Sequence, residues 1–332
     1  MNKKRVVAID GLRVVAILGV ILIHTTTRVL EVTHYNLNFY AETLFLNQFA
    51  RFAVPLFFLI SGLVPELTYK EDLDFWTYIK KRFSKIVIPY IVWSLIYYFF
   101  IYTNNTNNLI RVFLTGNASY QLYFIPTLCI FYIIFPFFHR LYKFISQPIT
   151  LIVLGVVQVW LLYNDYFIKN FNFVDPLRIS ILSFFFFITG MVVSHSLEYI
   201  INFCRKWRII LTILSIILAL YIYKEGMTQY FKTYNINAFY SSWRPSVFIY
   251  TFICGTALLG IFEKTNLKKL SDLSYFVFFI HVAVLELIWK FTEKFMVSGF
   301  YFDLSLFILV TGISFTIAYL FHKIPYLSKI LG

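Results

Sequence analysis

Residues 6–29 read VVAIDGLRVVAILGVILIHTTTRV. A helix needs about 20 mostly apolar residues to cross a bilayer, and this stretch supplies them. It also carries Asp10, Arg13 and His24 in the part that lipid would surround. An ionisable group at the centre of a membrane helix costs on the order of 2.5–3.5 kcal/mol by insertion scales, so each such residue is a candidate for function. Arg13 and His24 are eleven positions apart. At about 3.6 residues per turn that is close to three whole turns, which puts both on one helix face roughly 16 Å apart along the axis. Asp10 lies one turn before Arg13 and can neutralise it.

The rest of the chain fits that opening. The 332 residues are 60% hydrophobic and 14% charged, where a soluble domain carries about 25% charged residues. Aromatic residues make up 21%, as suits both an apolar interior and headgroup belts. Further apolar runs begin near Leu44, Ile86, Tyr120, Ile149, Leu177, Ile209, Pro245, Leu270 and Leu304. The expected fold is therefore all-α: a polytopic membrane bundle of about ten helices forming a single transmembrane domain over residues 1–332. The run at Ile149 is short, and the second run, Leu44 to Pro65, is loosened by Pro55 and by Ser61-Gly62.

The formal charge of +13 is read as topology. With the N-terminus inside, the inner segments hold Lys3, Lys4, Arg5, Lys70, Lys80, Lys81, Arg82, Lys85, Arg140, Lys143, Arg205, Lys206, Arg208, Lys264, Lys268, Lys269, Lys323 and Lys329. The outer segments hold about half as many basic residues, Arg244 among them, which places both termini in the cytoplasm of a multi-pass cell-membrane protein. No basic face interleaved with aromatics is visible, so nucleic acid is not an expected partner. Glu71 to Lys85 is amphipathic and is expected as an interfacial helix. TNNTNN at 103–108 and Lys224 to Trp243 read as outer loops. No cleavable signal peptide is expected.

Cys129, Cys204 and Cys254 lack metal-ligand spacing, and no metal is expected. Other candidates are Arg51, either an end anchor or a group facing a cavity, and His281 within an apolar run. His34, His139, His195 and His322 fall at span ends or in loops and read as interfacial.

Asp10-Gly11-Leu12-Arg13 with Arg-x10-His resembles the first span of the acyltransferase-3 family of membrane acyltransferases. Val54 to Gly62, Arg82 to Tyr90, Tyr120 to Pro126 and Ser274 to His281 are similar to its later motifs in the same order. The resemblance implies an O-acyltransferase, most often an O-acetyltransferase. Such an enzyme moves an acyl group from cytoplasmic acyl-CoA to a hydroxyl of a polysaccharide or lipid-linked sugar outside. It implies His24 as the catalytic histidine, with Arg13 and Asp10 beside it. The acetyl-CoA donor falls to Arg13, Arg82, Lys85 and Lys81. Arg51, Gln121, Tyr123 and His281 are the substrate-side candidates. Lys85 stands where relatives often have a second arginine and lacks its bidentate fork. Gln121 stands where relatives often have histidine. No appended soluble extracytoplasmic domain is present in this reading. The competing class is a transporter, flippase or exporter of a polysaccharide precursor, for which intramembrane charge is equally suited.

Overall fold

The structure is a computed structural model and describes residues 6–33, 37–69, 74–102, 108–168, 173–233, 240–292, 299–324 and 330–332. The described residues form helices and turns without a strand. The helices, in order, are α1 Val7–Thr33, α2 Leu37–Phe49, α3 Ala53–Thr68, α4 Phe75–Ile96, α5 Leu109–Thr115, α6 Phe124–Arg140, α7 Tyr142–Ile145, α8 Pro148–Tyr163, α9 Leu177–His195, α10 Leu197–Thr233, α11 Pro245–Ile261, α12 Lys268–Thr292 and α13 Phe300–His322. Among the described residues, 8 helical stretches are long and apolar enough to cross a membrane. Two shorter apolar helices, Phe124–Arg140 and Pro245–Ile261, lie where the sequence places further spans.

Several boundaries differ from the sequence reading. The second span begins before Leu44 and stays helical across Ala41–Thr68, with one tighter turn at Ala50–Phe52 between α2 and α3. Glu71 to Lys85 does not form a separate interfacial helix. Its described part opens α4, which continues without a break to Ile96. Asp74 caps that helix, accepting from the Thr77 N–H at 2.7 Å, and the Thr77 hydrogen bonds hold its carboxyl below the usual range. α10 runs for 37 residues and absorbs both Arg205–Arg208 and Lys224–Thr233, which the sequence assigns to loops. Charge marked a loop in that reading, but helix propensity does not forbid Lys, Arg or Glu in a helix that leaves the membrane. Residues 103–107, His34, and Lys3, Lys4, Arg5, Lys70 and Lys329 of the charge pattern lie outside the described residues.

The chain forms two compact units. Of the described residues, those within 58–197 and 318–332 form one, and those within 6–57 and 198–317 form the other. In the first, α3, α6 and α9 run in the same direction. Phe58 and Phe131 meet edge to face at 5.6 Å, and Phe131 stacks on Phe187 at 4.6 Å. α3 and α9 touch backbone to backbone because Gly62 faces Phe187 and Gly190 faces Leu59 and Leu63. Small residues at a helix crossing are how membrane bundles gain close packing where lipid offers no hydrophobic drive.

In the second unit, α2 lies antiparallel to α1: Leu30 packs with Leu44, and Gly19 faces Ala53 beyond the turn. α12 runs parallel to α1 for most of its length, as the contacts below show. Phe262, just after α11, covers Gly11.

A methyl at Gly190 would run into the Leu59 carbonyl, whereas one at Gly312 meets nothing within 4 Å. Gly190→Ala should therefore lower the thermal midpoint in detergent, by a cost of about 1–3 kcal/mol for overpacking. Gly312→Ala should leave it unchanged, read by tryptophan fluorescence on heating.

Candidate functional site

The unit of residues 6–57 and 198–317 holds a polar interior arranged along α1. At the start of the helix Asp10 is 3% exposed and accepts from the Ser271 hydroxyl of α12 at 2.8 Å. The Arg13 guanidinium, 31% exposed, lies 3.8 Å from the same carboxylate. Three turns beyond Arg13, the His24 ring lies 5.3 Å from the His281 ring at 31°. Near the far end of α1, Arg28 approaches Glu286 of α12 at 3.5 Å and Glu31 at 3.0 Å, and lies over the Trp289 ring. Three successive levels of α1 thus meet three successive levels of α12, which fixes the parallel register.

His281 is completely buried. Its Nδ1 is 3.0 Å from the Val277 carbonyl. A carbonyl only accepts, so Nδ1 carries the proton in the neutral ring and Nε2 is left as an acceptor. That Nε2 has no hydrogen-bond partner among the described residues. His24 is partly exposed, although Thr25 and Thr26 beside it are fully buried. Arg51 and His281 both lie close enough to act on His24 electrostatically.

The tighter turn Ala50–Phe52 between α2 and α3 positions Arg51. It is 3% exposed, so it is not a lipid-facing end anchor. Its Nε donates to Asn47 Oδ1 at 3.0 Å, Nη2 donates to the same oxygen, and Nη1 donates to the Tyr240 carbonyl. The guanidinium lies over the Tyr240 ring at 5.7 Å. Burial, with Glu31 adding to it, pushes the Tyr240 hydroxyl above its ordinary range, and Arg51 opposes the shift. Asn47 ties this group to α1 by donating to the Ile23 carbonyl, Thr26 and Thr27 at 2.9–3.2 Å.

Several buried partners here escaped the sequence reading. Arg244, assigned to an outer segment, is 0% exposed. It donates to Glu225 at 3.1 Å and to Gln48 at 2.5 Å, while Ser246 also donates to Glu225. Asp303, buried at the start of α13, accepts from Thr43 at 2.6 Å. The signal available was a polar residue inside or beside an apolar run. Which of these residues meet depends on contacts up to 260 residues apart.

The other candidates belong to the unit of residues 58–197. Arg82 donates to the Thr68 hydroxyl at 2.8 Å and lies between the Tyr78 and Tyr132 rings, 5.7 Å from each. Lys81 and Lys85 are exposed on the same helix. Gln121 is buried in the turn before α6 and accepts from Ser119, and its Nε2 has no partner among the described residues. Tyr123 is partly buried at the start of α6. His139 and His195, read as interfacial, lie in the last turns of α6 and α9 and converge on buried Glu66, each 2.8 Å from its Oε1. His195 also stacks on Tyr142 at 3.8 Å, and burial raises the Tyr142 hydroxyl above its ordinary value. No group of three or more metal-ligating side chains disposed to hold a metal ion occurs among the described residues.

A family model described as an acyltransferase domain matches residues 6–323, nearly the whole chain. Several curated proteins are similar. The probable poly-beta-1,6-N-acetyl-D-glucosamine export protein of Staphylococcus aureus strain MSSA476 is 25% identical over 306 residues, covering 86% of this chain and 83% of that protein. Its counterpart in strain MRSA252 is 26% identical over 264 residues, covering 74% and 72%. The Staphylococcus epidermidis protein of the same name is 23% identical over 313 residues, covering 89% and 84%. No solved structure matches the chain.

Removing one partner of a buried ion pair leaves the other charge unanswered, at a cost of about 3–5 kcal/mol. Arg244→Met should lower the thermal midpoint sharply through unpaired Glu225, and adding Glu225→Gln should restore part of the loss. A melting series of the single and double variants measures this.

Proposed function

The chain belongs to the acyltransferase-3 family, and from that premise we propose that it transfers an acyl group, most often acetyl, from acyl-CoA to a hydroxyl of a cell-surface polysaccharide. The observation that carries this reading is the placement of His24: a partly exposed imidazole beside buried His281 in a polar interior where Arg51 is within electrostatic reach. Histidine suits the task because its ordinary pKa, about 6.5, lets it take and return a proton near neutral pH.

In the proposed step His24 removes the proton from the sugar hydroxyl. The oxygen forms a bond to the thioester carbonyl carbon, the carbon–sulfur bond breaks, and the imidazolium returns the proton to the departing thiolate. His281, sealed beside His24, holds the position of that ring, and Arg51 presents a positive field to the charge that develops on oxygen. Asp10 and Ser271 set the orientation of Arg13, which meets the polar arm of the donor. The N- and C-termini are taken as cytoplasmic on the strength of the basic residues.

The names of the relatives favour a second reading, export of the polymer itself. The two separate cleanly. In cells lacking the protein, mass analysis of surface glycans should show normal polymer with fewer acyl groups. Less polymer of unchanged acyl content would instead support export.

His24→Ala should reduce acyl transfer from labelled acetyl-CoA by purified protein by about 10²–10⁴-fold, the usual contribution of a positioned acid–base group. Its helix content and melting should match the parent. Full activity in a well-folded His24→Ala protein would sink the assignment.

A further inference from the structure

At the end of its unit that holds Asp10, between α10 and the C-terminus of α11, lies a cavity of about 470 Å³. Arg205, Lys206, Arg208 and Lys264 line it together with Glu263, and Ile209 and Ile261 form its apolar wall. Beside the lining residues the two helices meet closely, where Gly260 faces the Cys204 carbonyl. Four cations thus surround one carboxylate. Glu263 is 3.5 Å from Arg205 and 3.9 Å from Lys264, so a single acidic group is shared between two of them.

We propose that this cavity binds a phosphate-bearing head group, and that its source is an anionic phospholipid of the surrounding bilayer. The shared chemistry is a phosphate oxygen cluster, which guanidinium groups match through paired N–H donors and ammonium groups match as point charges. The surroundings decide for a lipid. The apolar wall is continuous with an exposed strip of α10 that includes Phe203, Ile209, Ile210 and Ile213. Such a strip on a spanning helix is where acyl chains lie. Lys206 sits over the Trp207 ring at 5.8 Å, and Trp207 is 41% exposed. Tryptophan beside a snorkelling lysine is the arrangement that marks a headgroup level. Basic pockets between membrane helices recognise anionic head groups in this way. Gly11 of α1 packs on Phe262, the residue before Glu263, so an occupied cavity would brace the end of the helix that carries Asp10 and Arg13. The proposal does not depend on the acyl-transfer reading.

The test is native mass spectrometry of the full-length protein in detergent, with dioleoyl-phosphatidylglycerol, dioleoyl-phosphatidylcholine or coenzyme A added in turn. The parent should retain phosphatidylglycerol in strong preference to phosphatidylcholine. One basic residue at an anionic lipid surface is worth about fivefold in affinity, so Arg205→Gln/Arg208→Gln/Lys264→Gln should weaken retention on the order of 100-fold. Glu263→Gln removes the competing carboxylate and should strengthen it, a gain that misfolding would not produce. Equal retention of phosphatidylglycerol by the parent and the triple variant would overturn the site. Displacement of the lipid by equimolar coenzyme A, lost in the triple variant, would give the cations to nucleotide phosphates and overturn the lipid assignment.

Discussion

Lipid cannot hydrogen-bond, so every strongly polar side chain inside a spanning helix must be answered by another part of the protein. α1 carries several such groups, and the unit around it is arranged to meet them. Asp10 receives the Ser271 hydroxyl, Asn47 reaches the Ile23 carbonyl and two threonines, His24 lies against His281, and Arg28 approaches Glu286. Each contact fixes a level at which a neighbouring helix must pass. Together they hold α12 parallel and α2 antiparallel to α1. The tighter turn after α2 serves the same requirement, because it places Arg51 where Asn47 and the Tyr240 carbonyl take its donors.

That arrangement is also what gives the interior its chemical character. A histidine surrounded only by hydrocarbon would have no reason to exchange a proton. His24 sits instead among an oriented imidazole, a guanidinium and a set of threonine and asparagine groups that are already satisfied by one another. Such preorganised dipoles and charges need not rearrange when charge develops on a reacting oxygen. Arg244, Glu225 and Gln48 extend the network and stiffen the region behind Arg51 without belonging to the proposed chemistry.

Much of this was legible in the sequence, for physical reasons that differ residue by residue. The helical, membrane-spanning class follows from run lengths alone. Asp10, Arg13 and His24 stand out because they occur where charge is costly, and Asp10 and Arg13 are near neighbours one turn apart. The family was readable from the order of short motifs. Arg244 was not legible as a buried group, because it sits at a helix start beside Pro245, where a solvated arginine is equally ordinary. Glu66 gave no sign of gathering His139 and His195, since those contacts join residues 73 and 129 positions away. The helical continuity of α10 through its basic stretch was missed because charge was taken to mean loop.

The central claim is that His24 lies open to the acyl donor while His281 is sealed beside it. Diethyl pyrocarbonate, which carbethoxylates accessible imidazoles, reads this directly when modified peptides are mapped by mass. The account predicts that His24 is modified, that His281 stays unmodified in folded protein, and that saturating acetyl-CoA protects His24. Modification of His24 at the same rate with and without acetyl-CoA, or a His24 that never reacts, would contradict it.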